Sequence, residues 1–174
     1  GGKVLDDGEE IVLRSTGPAG RLRYFCQERF TDNLRVEFEF SLPKGSHELS
    51  VWLNRADPRV EMDRVGYSLL VIPGGRRTVS MLRSGRVVAG AKSLPYEPRR
   101  WHHASVLRED DRVSLRIDGV EVYAYVDPIP LQGGFVGLSG QTTGLRIRGL
   151  RVLSRGTSAR VSCLAIPDAR YNRR

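Results

Sequence analysis

The sequence predicts an all-β domain, a two-sheet antiparallel β-sandwich of the jelly-roll kind. Apolar residues recur with a period of two along most of the chain, as half-buried strands require. Turn signals interrupt that pattern about every 8–12 residues, the spacing of a sandwich. No segment long enough for an ordinary helix shows a 3.6-residue period.

The early strands are Ile11-Val12-Leu13 and Leu22-Arg23-Tyr24-Phe25. The run 34–40 alternates cleanly, with Leu34, Val36, Phe38 and Phe40 on one side and Arg35, Glu37 and Glu39 on the other. A turn follows at Leu42-Pro43-Lys44-Gly45. Leu49, Val51 and Leu53 then face inward on the next strand, which puts Ser50, Trp52 and Asn54 on its other face. After an acidic loop over 55–65, Gly66 to Ile72 form a strand closed by Pro73-Gly74-Gly75.

Thr78 to Leu82 and Arg86 to Val88 make a hairpin around Ser84-Gly85. Trp101 to Leu107 is a strand that turns at Glu109-Asp110-Asp111. Val113, Leu115 and Ile117 face inward on the next strand, and Asp118-Gly119 provides a tight type I′-like turn into Val120 to Val126. Pro128 and Pro130 break the pattern. Phe135 to Leu138 and Leu145 to Leu153 are the closing strands. Ser154 to Ser158 read as a domain edge, giving a jelly-roll domain over 1–156 and a tail over 157–174. The apolar run Val161 to Ile166 in that tail is a candidate edge strand.

The chain has 174 residues, 40% hydrophobic and 28% charged, enough for one domain with a sizeable core. Its net charge is +8, yet the arginines are scattered, without a basic helix or an aromatic-basic RNA-binding motif. No specific nucleic-acid partner is expected, and an Arg-rich solvated surface is the simpler reading; acidic glycans are the other class of partner such a charge would suit. No apolar stretch approaches a membrane span. The chain opens Gly1-Gly2-Lys3 without the apolar stretch of a secretory signal, and the parent protein can be longer. Cys26 and Cys163 are too far apart in sequence for a CxxC metal or redox motif.

The segment Trp101-His102-His103-Ala104-Ser105-Val106, followed by 111–120 ending in Ile117-Asp118-Gly119-Val120, resembles the laminin G-like and wider concanavalin A-like pattern. There a Trp-His opens a strand and a later strand ends in Asp-Gly. The Trp is expected to plug one end of the sandwich. The closing segments 133–138 and 145–152 are similar to those of the 3-keto-disaccharide hydrolase domain family, a bacterial branch of the concanavalin A-like lectin/glucanase superfamily. The resemblance covers about residues 10–153 and is one of strand order. It implies a concanavalin A-like fold, with functions ranging over lectins, glycosidases, adhesion modules and sensors. Relatives bring their first and last strands together, which would let Cys26 and Cys163 meet.

Glu61-Met62-Asp63 resembles half of the acid motif of family 16 glucanases. The positions of the further Glu hold Val65 and Gly66, so one of the two carboxylates of retaining hydrolysis is missing. Asp57, Glu61 and Asp63 are candidate calcium ligands, although Arg55, Arg59 and Arg64 balance them as surface charges. His102 and His103 point to opposite faces of a strand and cannot readily share a metal. The candidate sugar platform is Trp52, partly exposed beside Ser50 and Asn54, with Tyr67, Arg83 and His103 joining from neighbouring strands. The opposing reading is that Trp52 is a core residue.

The expected function is a non-catalytic carbohydrate- or cell-surface-binding module of a larger bacterial protein, without a cofactor unless calcium, in an extracytoplasmic or secreted setting. The alternatives are a glycoside hydrolase-like enzyme of the 3-keto-disaccharide hydrolase type and a structural or adhesion domain.

Overall fold

A computed structural model describes residues 2–6, 8–15, 22–31, 33–43, 48–55, 66–72, 78–91, 97–141, 144–154, 157–159 and 163–167. Two antiparallel sheets face each other, and no helix occurs among the described residues.

Sheet A runs in the order β1 (Gly2–Asp6), β2 (Glu10–Ser15), β13 (Leu145–Ser154), β4 (Leu34–Ser41), β9 (His102–Glu109), β10 (Arg112–Ile117) and β11 (Val120–Val126). The short β14 (Thr157–Ala159) also pairs with β13. Sheet B runs β15 (Cys163–Pro167), β3 (Leu22–Phe30), β12 (Gly134–Gln141), β5 (Glu48–Arg55), β6 (Tyr67–Ile72), β7 (Thr78–Arg83) and β8 (Arg86–Ala91).

The alternation in β4 does what period two dictates. Leu34, Val36, Phe38 and Phe40 are all buried between the sheets, each worth roughly 1.5–3 kcal/mol of burial. Its outward Glu39 lies on the solvated side, where Arg148 of β13 grips it at 2.6 and 3.2 Å. Sheet B supplies the other half of the core through Leu49, Val51 and Leu53 of β5, Leu69 of β6 and Leu138 of β12. The two tight hairpins have the predicted backbone: Ser84 and Gly85 lie at φ 48° and 82°, Asp118 and Gly119 at 50° and 80°.

Strand β1 has no counterpart among the strands the sequence predicts. It pairs with β2 in register, and the hydroxyl of Tyr24 in sheet B donates to Asp6 at 2.6 Å, tying the first strand across to the other sheet. At the other end of the chain, β15 adds to the edge of β3.

The resemblance motif works differently from expectation. Trp101 does not plug the sandwich. It is half-buried on the outer side of sheet A, with the guanidinium carbons of Arg148 and Arg146 4.2 and 5.1 Å from its ring centroid. Trp101 is one residue out of phase with the inward set of β9, so alternation sends it outward. The buried member is His102. Its Nδ1 meets Asp118 Oδ2 at 2.7 Å, while Asp118 Oδ1 accepts from the His103 amide at 2.8 Å. Burial pushes the Asp118 carboxyl up, but those hydrogen bonds and the charges of His102 and Arg100 outweigh it, and the group is held below its ordinary value. The Trp-His and Asp-Gly ends of the motif are therefore joined by a hydrogen bond.

Candidate functional site

Strand β5 divides as its alternation predicts. Leu49, Val51 and Leu53 belong to the main core, whereas Trp52 forms a separate apolar cluster with Phe25 on the other face of sheet B. Register explains the pairing. Gly137 of β12 lies opposite both Phe25 of β3 and Trp52 of β5. A Cβ at Gly137 would collide with the Phe25 ring. The glycine therefore lets Phe25 lie across β12 and stack on Trp52, with centroids 5.2 Å apart and planes 26° apart.

The neighbouring row is polar: Arg23, Ser139 and Ser50 sit opposite one another on β3, β12 and β5. The Ser50 hydroxyl donates to Glu48. The sequence reading missed Arg23 and Ser139, because only register places them beside Ser50.

The expected partly exposed indole is not found. Trp52 is 2% exposed and Ser50 0%, so the centre of this face is buried even though it lies away from the main core. Alternation reports which face a side chain takes, not whether that face is covered. The accessible side chains lie at the margins. Gln27 and Arg29 are exposed, and Phe135, opposite Arg29, is half-exposed. On the other flank, Ser68 of β6 and Ser80 of β7 are half-exposed.

Three further candidates do something else. Asn54 is 4% exposed and sits at φ 58°, where β5 slips register against β12 between Trp52 and Arg55. Its amide nitrogen donates to the carbonyls of Leu131 and Gly133 at 3.2 and 3.0 Å. Tyr67 belongs to the core side of β6 and donates its hydroxyl to Asp127 Oδ2 at 2.6 Å, accepting in turn from the Leu131 amide at 3.2 Å. Arg83 donates to the same Asp127 oxygen and, at 2.6 Å, to the Ile129 carbonyl. These three side chains strap the Pro-bearing connection 127–133 that carries the chain from sheet A to sheet B. Its sequence signal was present in Asp127-Pro128-Ile129-Pro130, but the partners are remote in sequence.

Electrostatics agree with that structural role. Burial is the main cause pushing the Tyr67 hydroxyl up to about 12, with the Asp127 hydrogen bond adding to it. Asp127 is 1% exposed. Burial raises its carboxyl, yet the hydrogen bonds from Tyr67, Arg83 and the Ile129 amide, with the Arg83 charge, hold it below the ordinary value. The ion pair is enclosed at its Asp127 end and partly exposed at its Arg83 end, and it is local to the strap.

His103 is exposed on the outer face of sheet A, opposite Glu39, and does not join Trp52. The hydrogen bond from Arg148 is the main cause holding the Glu39 carboxyl low; its partial burial opposes this, and the charges of Arg148 and His103 add to the lowering. The candidate catalytic pair Glu61 and Asp63, and the calcium candidates Asp57, Glu61 and Asp63, lie outside the described residues. Among the described residues no cluster of three or more His, Cys, Asp or Glu side chains is arranged to hold a metal, and no helix is long and apolar enough to cross a membrane.

No family model matches the chain. Among curated proteins, the chain is 25% identical over 168 residues to the serine/threonine-protein kinase PknD of Protochlamydia amoebophila, covering 96% of this chain but only 16% of that protein. Among solved structures, the chain is similar to the carbohydrate-binding module CBM66 from Bacillus subtilis, with TM-score 0.70, 18% identity, and coverage of 88% of this chain and 92% of that one. A Bacillus subtilis protein of unknown function with a galectin-like fold gives TM-score 0.76, 16% identity and coverage of 88% and 86%. The exoplasmic/lumenal domain of VIP36, solved in a Ca2+/Man-bound form, gives TM-score 0.68, 11% identity and coverage of 95% and 86%. The two facing antiparallel sheets of this chain are a jelly-roll β-sandwich, the fold it shares with those three structures.

Proposed function

We propose that this chain is a non-catalytic carbohydrate-binding module of a larger protein, working outside the cytoplasm, and that it takes its ligand on the face of sheet B that carries Trp52. The single observation that supports this most is the composition of that face. A sheet surface turned away from the core holds a stacked Phe25–Trp52 pair beside a polar row, in a fold shared with CBM66 and the VIP36 lumenal domain. Sugars are recognised through such a mixture of aromatic faces and hydrogen-bonding groups.

Phe25 and Trp52 are buried and serve as the rigid floor. The ligand meets the accessible margin, where Phe135 stands opposite Arg29. The match to 16% of a much longer kinase supports a module within a larger chain, and an extracytoplasmic setting rests on the exoplasmic/lumenal relative.

A glycan array on the purified domain tests the reading, followed by titration of the best ligand against Phe135→Ala and Arg29→Ala. Loss of a stacking contact of about 1 kcal/mol weakens binding about fivefold. Both variants should weaken binding by at least that factor while melting near the parent temperature. An array without signal, or affinities unchanged in both variants, refutes the site. Glycoside turnover abolished by Glu61→Gln would overturn the non-catalytic part.

A further inference from the structure

Strand β15 is the outermost strand of sheet B, and its pairing with β3 places Cys163 directly opposite Cys26. These are the chain's two cysteines. Directly opposed residues of an antiparallel pair have Cα atoms roughly 4.5–5.5 Å apart and send their Cβ atoms to the same face of the sheet. A disulfide spans Cα separations of roughly 4.4–6.8 Å. The Cys26 side chain is on the core side, in phase with Leu22 and Tyr24, and is 2% exposed.

The geometry points to a disulfide between Cys26 and Cys163 that locks β15 onto the edge of sheet B. The bond forms by thiol–disulfide exchange with a small-molecule or protein disulfide as oxidant. The thiolate of one cysteine attacks the oxidant's sulfur and releases one of its thiols. The second cysteine then attacks the mixed disulfide, closing the Sγ–Sγ bond and releasing the other thiol, so two protein thiols are oxidised as one external disulfide is reduced.

The bond has a structural consequence. Without β15, β3 becomes the edge of sheet B and presents unpaired backbone groups beside Leu22, Tyr24 and Cys26, the kind of edge that recruits other strands. Closing a loop of well over a hundred residues also restricts the unfolded chain strongly. The burial of Cys26 makes the bond slow to reduce until β15 peels away. This inference is independent of the glycan site and stands whether or not any sugar binds.

The test is to equilibrate the full chain with oxidised and reduced glutathione at a ratio typical of oxidising compartments. The chain is then trapped with an alkylating agent under denaturing conditions, and its peptides are mapped without reductant. The expected result is one cross-linked peptide pair containing Cys26 and Cys163, with no alkylated cysteine. Reduction should lower the melting midpoint by roughly 5–15 °C and speed amide exchange over 163–167. The Cys26→Ser/Cys163→Ser double variant should melt like the reduced chain whether or not reductant is present. Two alkylated thiols after equilibration, or bridges found only between separate molecules, overturn the proposal.

Discussion

Replacing Trp52 with alanine discriminates between a ligand contact and a buried support. The indole is 2% exposed and stacks on Phe25 at 5.2 Å. A tryptophan buries roughly 150–250 Å², which at about 25 cal/mol per Å² is on the order of 4–6 kcal/mol, part of it kept by the alanine. Measured Trp→Ala costs in buried sites are about 3–5 kcal/mol. The stack itself adds roughly 0.5–1.5 kcal/mol, lost together with the ring. The expected cost is therefore about 3–5 kcal/mol, which lowers the melting midpoint by roughly 6–20 °C for a domain of this size. Because Trp52 and Phe25 form their own cluster, the main core has no direct route to fill the space. Urea unfolding followed by circular dichroism, with Trp101 fluorescence as a second probe, measures it. Trp52→Phe should recover much of the loss by keeping an aromatic face against Phe25. A loss below about 1 kcal/mol, accompanied by weakened glycan binding, would refute the burial reasoning and return Trp52 to the list of direct sugar contacts.

Two further perturbations address the strap and the acid groups. Tyr67→Phe removes a bond to a charged acceptor and one from the Leu131 amide, so it should cost about 2–4 kcal/mol and speed exchange of the Leu131 amide; a cost below about 0.5 kcal/mol would show that the connection does not depend on it. Asp118 and Asp127 both titrate below their ordinary value when folded, so the stability they supply is complete above about pH 4 and is lost as pH falls through the lowered folded values. Melting followed from pH 5 to pH 2 should decline over that window, and Asp127→Asn should flatten the decline; a parent profile flat to pH 2 would contradict both assignments.

The fold was legible because its signal is local. In β4, each side chain's fate follows from its parity, and every one of the four inward residues is buried. In the hairpins at Ser84-Gly85 and Asp118-Gly119, residue types that tolerate positive φ sit where the turn needs them. The candidate site was legible only in part. Parity divided β5 correctly, with Leu49, Val51 and Leu53 inward and Trp52 on the opposite face. It could not report that Trp52 is covered, nor that Tyr67 and Arg83 turn to Asp127, some 60 and 44 residues away in sequence.

The sequence by itself determined the class of fold, the strands between Ile11 and Leu153, the two tight turns and the division of β5 into two faces. Each depends on residues within a few positions of one another, where steric preference and alternation act directly. Only the tertiary structure decided which strands became neighbours. That order brings Gly137 between Phe25 and Trp52, aligns Arg23 with Ser139 and Ser50, joins His102 to Asp118, and sets Cys163 opposite Cys26. These juxtapositions arise from the order of strands across each sheet. Strand order is set by the summed burial of both faces and by backbone pairing over long sequence separations, which no local pattern of residues encodes.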